Sequence, residues 1–333
     1  VKPIDVKQND AQQEQPARTR QHEQKDMKCE SSNRQQHSMN AGDIGPLPDV
    51  VSVMRQLARE ASVEILRHYA DAPNARHKAD GSPVTPADEA ANHIICRGLR
   101  QVFPGVPILA EESADPAERH GARWLFVVDP LDGTKEYIAR NDEFSVNIAL
   151  LEWDRPVAGV VMMPVGGRMF WAAKGAGAWT DDGVRTDDGT RTDDGAWTDD
   201  GAWMDDGSQP EAPSWRQLHV SSRTSALVLA VSRSHPSAKT ERLMRHPLVA
   251  RTVVAGSSLK GCLIACGEAD VYFRYGRTME WDTAAMQIIV EEAGGVVCQP
   301  DGKPMRYNKT VPDNPNGFVV MNRRENLSLA AEN

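Results

Sequence analysis

Residues 124–137, WLFVVDPLDGTKEY, constrain the fold more than any other stretch, because an apolar run is driven straight into two carboxylates. Trp124 to Val128 reads as a buried strand, and Pro130 with Gly133 marks the turn that stops it. Asp129 and Asp132 are thereby carried from the interior to a strand end, where hard cations find oxygen ligands. A helix opening at Thr134 would turn unpaired backbone N–H groups toward the same spot, which suits a phosphate oxygen as well as the metals that neutralise it. The ordinary alternative is that the two aspartates only cap a turn.

Three more acidic segments bear on that choice. In ILAEES, Glu111 and Glu112 follow a short apolar strand, although paired glutamates at a strand end are usually solvated. In HKADGSPVTPADEAANHII, Thr85 reads as an N-cap, Pro86 as the first helical residue and Asp88 as a capping-box acid. In MEWDTAAMQIIVEEAGG, Asp282 stands at the start of a helix that Gly294 and Gly295 end, so an N-cap role is its plain alternative. Four acidic clusters, all at strand ends or helix starts, are what an oxygen-ligand metal site requires.

Taken together, the EE pair, the DPLDGT turn and the late WD before a helix resemble the inositol monophosphatase superfamily of magnesium-dependent, lithium-sensitive phosphatases. Within it, DGTKEY, EFSVNIALLE, SRSH at 232–235, GSSLK at 256–260 and EWDTAA are similar to the CysQ-type branch, the bacterial 3'(2'),5'-bisphosphate nucleotidases. The likeness runs from about residue 48 to about 322, apart from one insertion. It implies an αβαβα sandwich and two to three Mg2+ ions, with Glu111, Asp129, the Leu131 carbonyl, Asp132 and Asp282 as ligands. Asp88 matches the acid of a further, weaker metal, and Thr134 with Glu111 matches the pair that orients the attacking water. Leu131, Asp132, Gly133, Thr134 and Asp282 would also border the scissile phosphate. Ser234, His235, Gly256 and Lys260 correspond to the region that contacts the nucleotide and its retained 5'-phosphate. The activity implied is hydrolysis of 3'-phosphoadenosine 5'-phosphate, and of 3'-phosphoadenylyl sulfate, to AMP or adenylyl sulfate and phosphate, which clears a by-product of sulfate assimilation.

Residue chemistry agrees with such a reaction. A phosphomonoester dianion repels an incoming oxygen, so a catalyst must neutralise charge, orient a water in line and stabilise the leaving alkoxide. Carboxylates holding Mg2+ ions roughly 4 Å apart can do this without a protein nucleophile. Neither a CxxxxxR loop nor a GxxxxGK[ST] run occurs, which argues against a cysteinyl intermediate and a P-loop NTPase. A bisphosphate also carries a second anion, for which Lys260 and the amides of Gly256, Ser257 and Ser258 are candidates. Lys260 as a surface residue of the following helix, and His235 as a turn residue before Pro236, are the plain alternatives.

The five cysteines, at 29, 96, 262, 266 and 298, form no CxxC pair and read as buried free thiols. Residues 1–45 are rich in polar residues with almost no apolar run, so a disordered tail is expected, with no secretory signal and no transmembrane segment. A cytoplasmic enzyme follows, with peripheral attachment at the inner face of the membrane and the oligomeric state left open, and with no nucleic acid polymer as partner. The hexapeptide array at 178–207, AWTDDG, VRTDDG, TRTDDG, AWTDDG and AWMDDG, carries ten aspartates and two arginines, a charge of −8 against −9 for all 333 residues. The body of the chain is thus nearly neutral, and its acidity says nothing about its substrate. DDG turns supply oxygens as calcium loops do, but the array lacks the regular apolar position of a β-solenoid. It reads as a tandem expansion in a surface hairpin.

Expected organisation is therefore a tail (1–45), an α+β domain holding the metal site (46–177), the repeat (178–207), an α/β domain (208–325) and a terminal tail (326–333). Helices are expected near 49–70, 86–102, 238–246, 258–268 and 282–293. Strands are expected at 107–110, 124–129, 144–152, 157–163 and 168–173, then in LHVSS, ALVLAVSRS, RTVVAGS, ADVYFRY, GGVVCQ and GFVVMN. Two other functions are carried forward: an inositol or other sugar-phosphate phosphatase on the same metal core, and a non-catalytic acidic cation-binding module built on the repeat.

Overall fold

The computed structural model describes residues 44–70, 74–78, 81–182, 196–197, 203–204, 215–233 and 237–331. The polar tail at 1–43, Cys29, Ser234, His235 and most of the repeat lie outside them. Two long helices open the fold, α1 (Leu47–Ala70) and α2 (Pro86–Val102), with the short pair β1 (Arg76–His77) and β2 (Pro83–Val84) between them. Asp88 accepts from the Thr85 N–H at 2.8 Å, so the capping box forms where the sequence places it.

Next comes a seven-stranded sheet: β3 (Ile108–Ala110), β4 (Trp124–Asp132), β5 (Ser145–Glu152), β6 (Arg155–Met162), β7 (Met169–Ala173) and β8 (Gly177–Asp181), closed by a late strand. All pairs are antiparallel except β3 with β4. A five-residue helix, α3 (Thr134–Ile138), separates β4 from β5. Two strand pieces inside the repeat, β9 (Ala196–Trp197) and β10 (Trp203–Met204), pair with each other. The late strand β11 (Trp215–Gln217) pairs with β8, so the repeat leaves and re-enters the sheet at one hairpin. The first repeat copy is sheet rather than insertion. Thr180 donates to the Met169 carbonyl at 2.9 Å, and Asp182 pairs with Arg168 and Arg216.

The second half builds a five-stranded sheet in the order β13-β12-β14-β18-β16, from β12 (Leu227–Val231), β13 (Val249–Val254), β14 (Val271–Arg274), β16 (Val296–Cys298) and β18 (Phe318–Met321). Helices α4 (Ala238–Met244), α5 (Leu259–Ala265), α6 (Ala284–Glu292) and α7 (Ser328–Ala331) flank it, and β15 (Thr278–Met279) pairs with β17 (Asp313–Asn314). LHVSS, expected as a strand, is irregular: only Leu218 and Val220 donate backbone N–H groups, to Ala178 and Ala293, and no ladder extends from them. The final residues, expected as a tail, are helical as far as Ala331 and bury Leu329.

Period-two alternation sorts the strands into layers. Phe126, Val128, Ile148 and Val160 face α1 and α2, whereas Leu125, Val127, Ala149 and Val161 face α5, α6 and the second sheet. On the far side of that sheet, Leu229, Val271, Phe273 and Val319 meet Leu243 of α4 and Leu329. The order is α, β, α, β, α, and the described residues from 44 on fall in one compact unit. Gly159 on β6 marks the tightest contact between layers: a Cβ there would lie 2.6 Å from the Ala285 carbonyl oxygen of α6. Cys96, Cys262 and Cys298 are buried free thiols and Cys266 is half-buried. No helix among the described residues is long and apolar enough to cross a membrane.

Candidate active site

A one-residue irregularity in β4 creates the site. Asp129 pairs with Asn147 and Asp132 with Ser145, so three steps along β4 oppose two along β5. Residues three apart on a regular strand face opposite ways; the extra residue of a bulge brings Asp129 and Asp132 back to one side. Pro130 is tolerated here because a bulge needs no ladder N–H from it. Gly133 follows with φ of +96° and starts α3 at Thr134, a conformation that a side chain would strain.

Each carboxylate of the cluster is held by one oxygen. Asp129 Oδ1 accepts from the Leu131 N–H at 3.1 Å and Asp282 Oδ2 from the Met279 N–H at 2.8 Å. Asp132 Oδ2 accepts from the Ser257 hydroxyl at 2.5 Å, the Ser258 N–H at 2.8 Å and the Ser258 hydroxyl at 3.0 Å. Glu111 Oε1 receives the Lys78 ammonium at 2.8 Å, and the same ammonium reaches Glu112 at 2.6 Å. Asp88 differs, because both its oxygens are engaged: Oδ2 by Thr85, and Oδ1 by the Thr134 hydroxyl at 3.0 Å. That hydroxyl also lies 3.4 Å from the Leu131 carbonyl.

Electrostatics shows how closely these groups crowd. Asp129 is 1 % exposed, and burial followed by repulsion from Glu111, Asp132, Asp282 and Asp88 pushes its carboxyl far above the usual range. Asp282 is pushed up to about 8 by burial and then by Asp132. Burial likewise raises Glu111 and Asp88, and lifts Glu112 to about 7. Burial alone would lower the Lys78 ammonium, but its bonds to Glu111 and Glu112 prevail and raise it. A nest of all-oxygen donors that resists ionisation on its own and is oriented by outer hydrogen bonds fits a hard cation such as Mg2+. No three of the described His, Cys, Asp or Glu side chains converge to grip an ion as the atoms stand. Lys78 engages Glu111, and the two serines engage Asp132.

Several positions differ from the sequence reading. Asp282 is not an N-cap: α6 is preceded by Thr283, and the Asp282 side chain turns back to Met279. The Ser258 amide is not offered to a phosphate, because it is spent on Asp132. Lys260 is no surface lysine. It is 5 % exposed, donates to the carbonyls of Ala255 at 3.3 Å and Ser257 at 2.7 Å, and is lowered by burial to about 8. Gly256 lies against Glu143, where a Cβ would come within 2.6 Å. Reading the sequence alone missed Lys78 and Asn147 as site residues and considered Ser257 only for its amide, whereas its hydroxyl donates to Asp132; Asn147 donates to the Ser258 hydroxyl at 2.9 Å. HKADG, GSSLK and EFSVN carry these residues, but nothing local in them shows which carboxylate each would meet.

Residues 47–332 match the model of the inositol monophosphatase family. The chain belongs to that family. Among curated members, the 3'(2'),5'-bisphosphate nucleotidases CysQ of Escherichia coli O157:H7 and of strain K12 are each 39% identical to it over 257 residues, covering 76% of this chain and 91% of the relative. Among solved structures, the CysQ of Bacteroides thetaiotaomicron, described as a bacterial member of the family, aligns with a TM-score of 0.64 at 35% identity, over 85% of this chain and all of that one. An IMPase of Thermotoga maritima aligns with a TM-score of 0.65 at 23% identity, over 85% of this chain and 97% of that one, and shows the shared fold. Family membership makes the protein a metal-dependent phosphatase, and the expected αβαβα architecture is the family's own.

Proposed function

We propose that the protein hydrolyses the 3'-phosphate of 3'-phosphoadenosine 5'-phosphate, and of 3'-phosphoadenylyl sulfate, by direct attack of water. The observation that carries this reading is the 39% identity to CysQ nucleotidases over 91% of their length, joined to a carboxylate cluster in which each proposed ligand keeps one anchored oxygen. Glu111, Asp129, the Leu131 carbonyl, Asp132 and Asp282 would hold two to three Mg2+ ions. When bound, these ions would acidify a water and offset the charge of the phosphate and the leaving oxygen.

The chain's own residues supply orientation and proton handling. Because the Thr134 hydroxyl donates to Asp88, its lone pairs face away from that carboxylate and can accept from a water poised beside the cluster. As that water attacks, its proton can pass to the Thr134 oxygen while Thr134 releases its own to Asp88, whose raised affinity for protons suits the task. Backbone N–H groups at Gly133 and Thr134 face the phosphate, where a side chain on Gly133 would meet the Glu143 carbonyl oxygen at 3.2 Å. Ser234, His235, Gly256 and Lys260 would contact the nucleotide and its retained phosphate. Lys260 acts from beneath, placing positive charge under the 255–257 turn.

Parallel Mg2+-dependent phosphate-release assays on 3'-phosphoadenosine 5'-phosphate and inositol 1-phosphate test the reading. At least tenfold higher kcat/KM on the nucleotide is expected, whereas preference for the inositol ester would overturn it.

A further inference from the structure

Two turns must hold a fixed spacing if one substrate is to be gripped by both its phosphates, and a single residue is wedged between them. Glu143 lies just before β5. Its carbonyl oxygen would meet a Cβ on Gly133 at 3.2 Å, and one on Gly256 would lie 2.6 Å from both that oxygen and the Glu143 Cβ. Gly133 belongs to the hydrolytic turn and Gly256 opens the GSSLK turn, so both glycines are needed to admit the same stretch of backbone. The Glu143 N–H is tied to Asn141 Oδ1 at 3.1 Å, which fixes the approach.

From that wedge the Glu143 carboxylate crosses to Arg233, two residues past the end of β12. It accepts Nε at 3.0 Å on Oε2 and Nη2 on Oε1, a two-pronged pair. Arg233 directly precedes Ser234 and His235, the proposed nucleotide contacts. Among the described residues, Glu143 thus touches the hydrolytic turn and the GSSLK turn and ion-pairs with the segment leading to the nucleotide side. The mechanism itself gives it no work. The guanidinium side chain is 53 % exposed and Glu143's is 16 % exposed, so the pair is open to solvent on one side and is poorly placed as a source of fold stability.

We infer that Glu143 and Arg233 form a positioning strut that sets the gap between the hydrolytic cradle and the second-phosphate side, and so selects substrates bearing two phosphates. The inference rests on the nucleotidase reading above. Ser257 and Ser258 already tie the GSSLK turn to Asp132, so the pair acts on the Arg233 side; a nucleoside monophosphate puts no phosphate there and depends on the gap far less. A bisphosphate of fixed internal geometry loses binding when the gap drifts, and its bond-breaking step does not change.

Glu143→Gln, Arg233→Gln, their double variant and Arg233→Lys are compared with the unaltered protein on 3'-phosphoadenosine 5'-phosphate and adenosine 3'-phosphate, which share the scissile bond. Each Gln variant should raise KM for the bisphosphate about tenfold, equivalent to roughly 1.4 kcal/mol, leaving kcat and the monophosphate KM within about twofold. The double variant should be no worse than either single one, because the pair acts as a unit. Arg233→Lys, which keeps charge without the fork, should fall in between. Equal KM rises on both substrates, no rise on the bisphosphate, or additive losses in the double variant would overturn the strut. Thermal melts by circular dichroism separate these outcomes from unfolding: a variant melting more than about 10 °C below the parent would show a stability role and also overturn the inference. Failure of the unaltered protein to turn over either nucleotide would sink the nucleotidase reading instead.

Discussion

Asp132 illustrates how a single side chain is prepared for its work. Three donors from the 257–258 turn hold Oδ2, and among the described residues no hydrogen bond reaches Oδ1. Asp129 is prepared in the same way by the Leu131 N–H. Asp129→Asn and Asp132→Asn each remove a negative charge from a repulsive cluster, so Mg2+-dependent turnover should fall more than a hundredfold while the fold survives. Steady-state kinetics with melting curves on the same samples check this, and residual turnover above a tenth of the parent's would remove either residue from the ligand set. Lys78 is the opposite case, a cation lying across Glu111 and Glu112. Lys78→Gln leaves those two carboxylates facing each other, so the chelated protein should melt about 5 °C lower, and added Mg2+ should recover most of the loss. An unchanged melting temperature in chelator would show the bridge to be inert.

At the scale of elements, the site exists because β4 carries one residue more than β5 opposes, and the Pro130–Leu131 step is where the surplus is absorbed. The apolar run and the Pro/Gly punctuation of this strand are plain in the sequence. The register shift is not, because it depends on where β5 chooses to pair. The capping box of α2 shows the reverse: Thr85, Pro86 and Asp88 act within four residues, so local spacing suffices to read it. LHVSS fails as a strand for a tertiary reason, since its alternating pattern meets only isolated partners at Ala178 and Ala293. The packing of α6 on the first sheet is tight enough to probe. Gly159→Ala puts a methyl group 2.6 Å from the Ala285 carbonyl oxygen and from Ile288 Cγ2. It should destabilise by about 1–3 kcal/mol, read as a lowered denaturant midpoint; a neutral effect would mean that the layers can part at no cost.

For the whole molecule, stability should carry the mark of the acidic cluster. Asp282, whose folded value is pushed up to about 8, and Asp129, pushed well above the usual range by burial, both exceed their unfolded values near 4. Their contribution to stability is fully present below about pH 4 and is lost as pH rises through the folded values, because the unfolded chain then carries the charge more easily. In chelator, the melting temperature should therefore drop by several degrees between pH 6 and pH 9, and Mg2+ should raise it more at pH 8.5 than at pH 6. A chelated protein that gains stability with pH over that window would contradict the cluster. The repeat belongs to this scale too. Residues 178–182 serve the first sheet, so removing 184–207 and sparing that strand should leave kcat/KM within twofold, since lengthening a hairpin costs little; lost turnover would give the repeat a catalytic part. Sequence alone determined the mixed α and β character and most helices and brought four acidic segments forward as candidates, because periodicity, caps and punctuated turns are written in neighbouring residues, while the layered order followed from the family resemblance. Only the tertiary structure decided that Lys78 bridges two glutamates, that Lys260 lies buried under its own turn and that Glu143 wedges between two glycines. The Lys78 bridge and the contact of Glu143 with Gly256 join groups far apart in the chain, and Lys260, whose own bonds are local, is buried only by what packs over it, so nothing local encodes these arrangements.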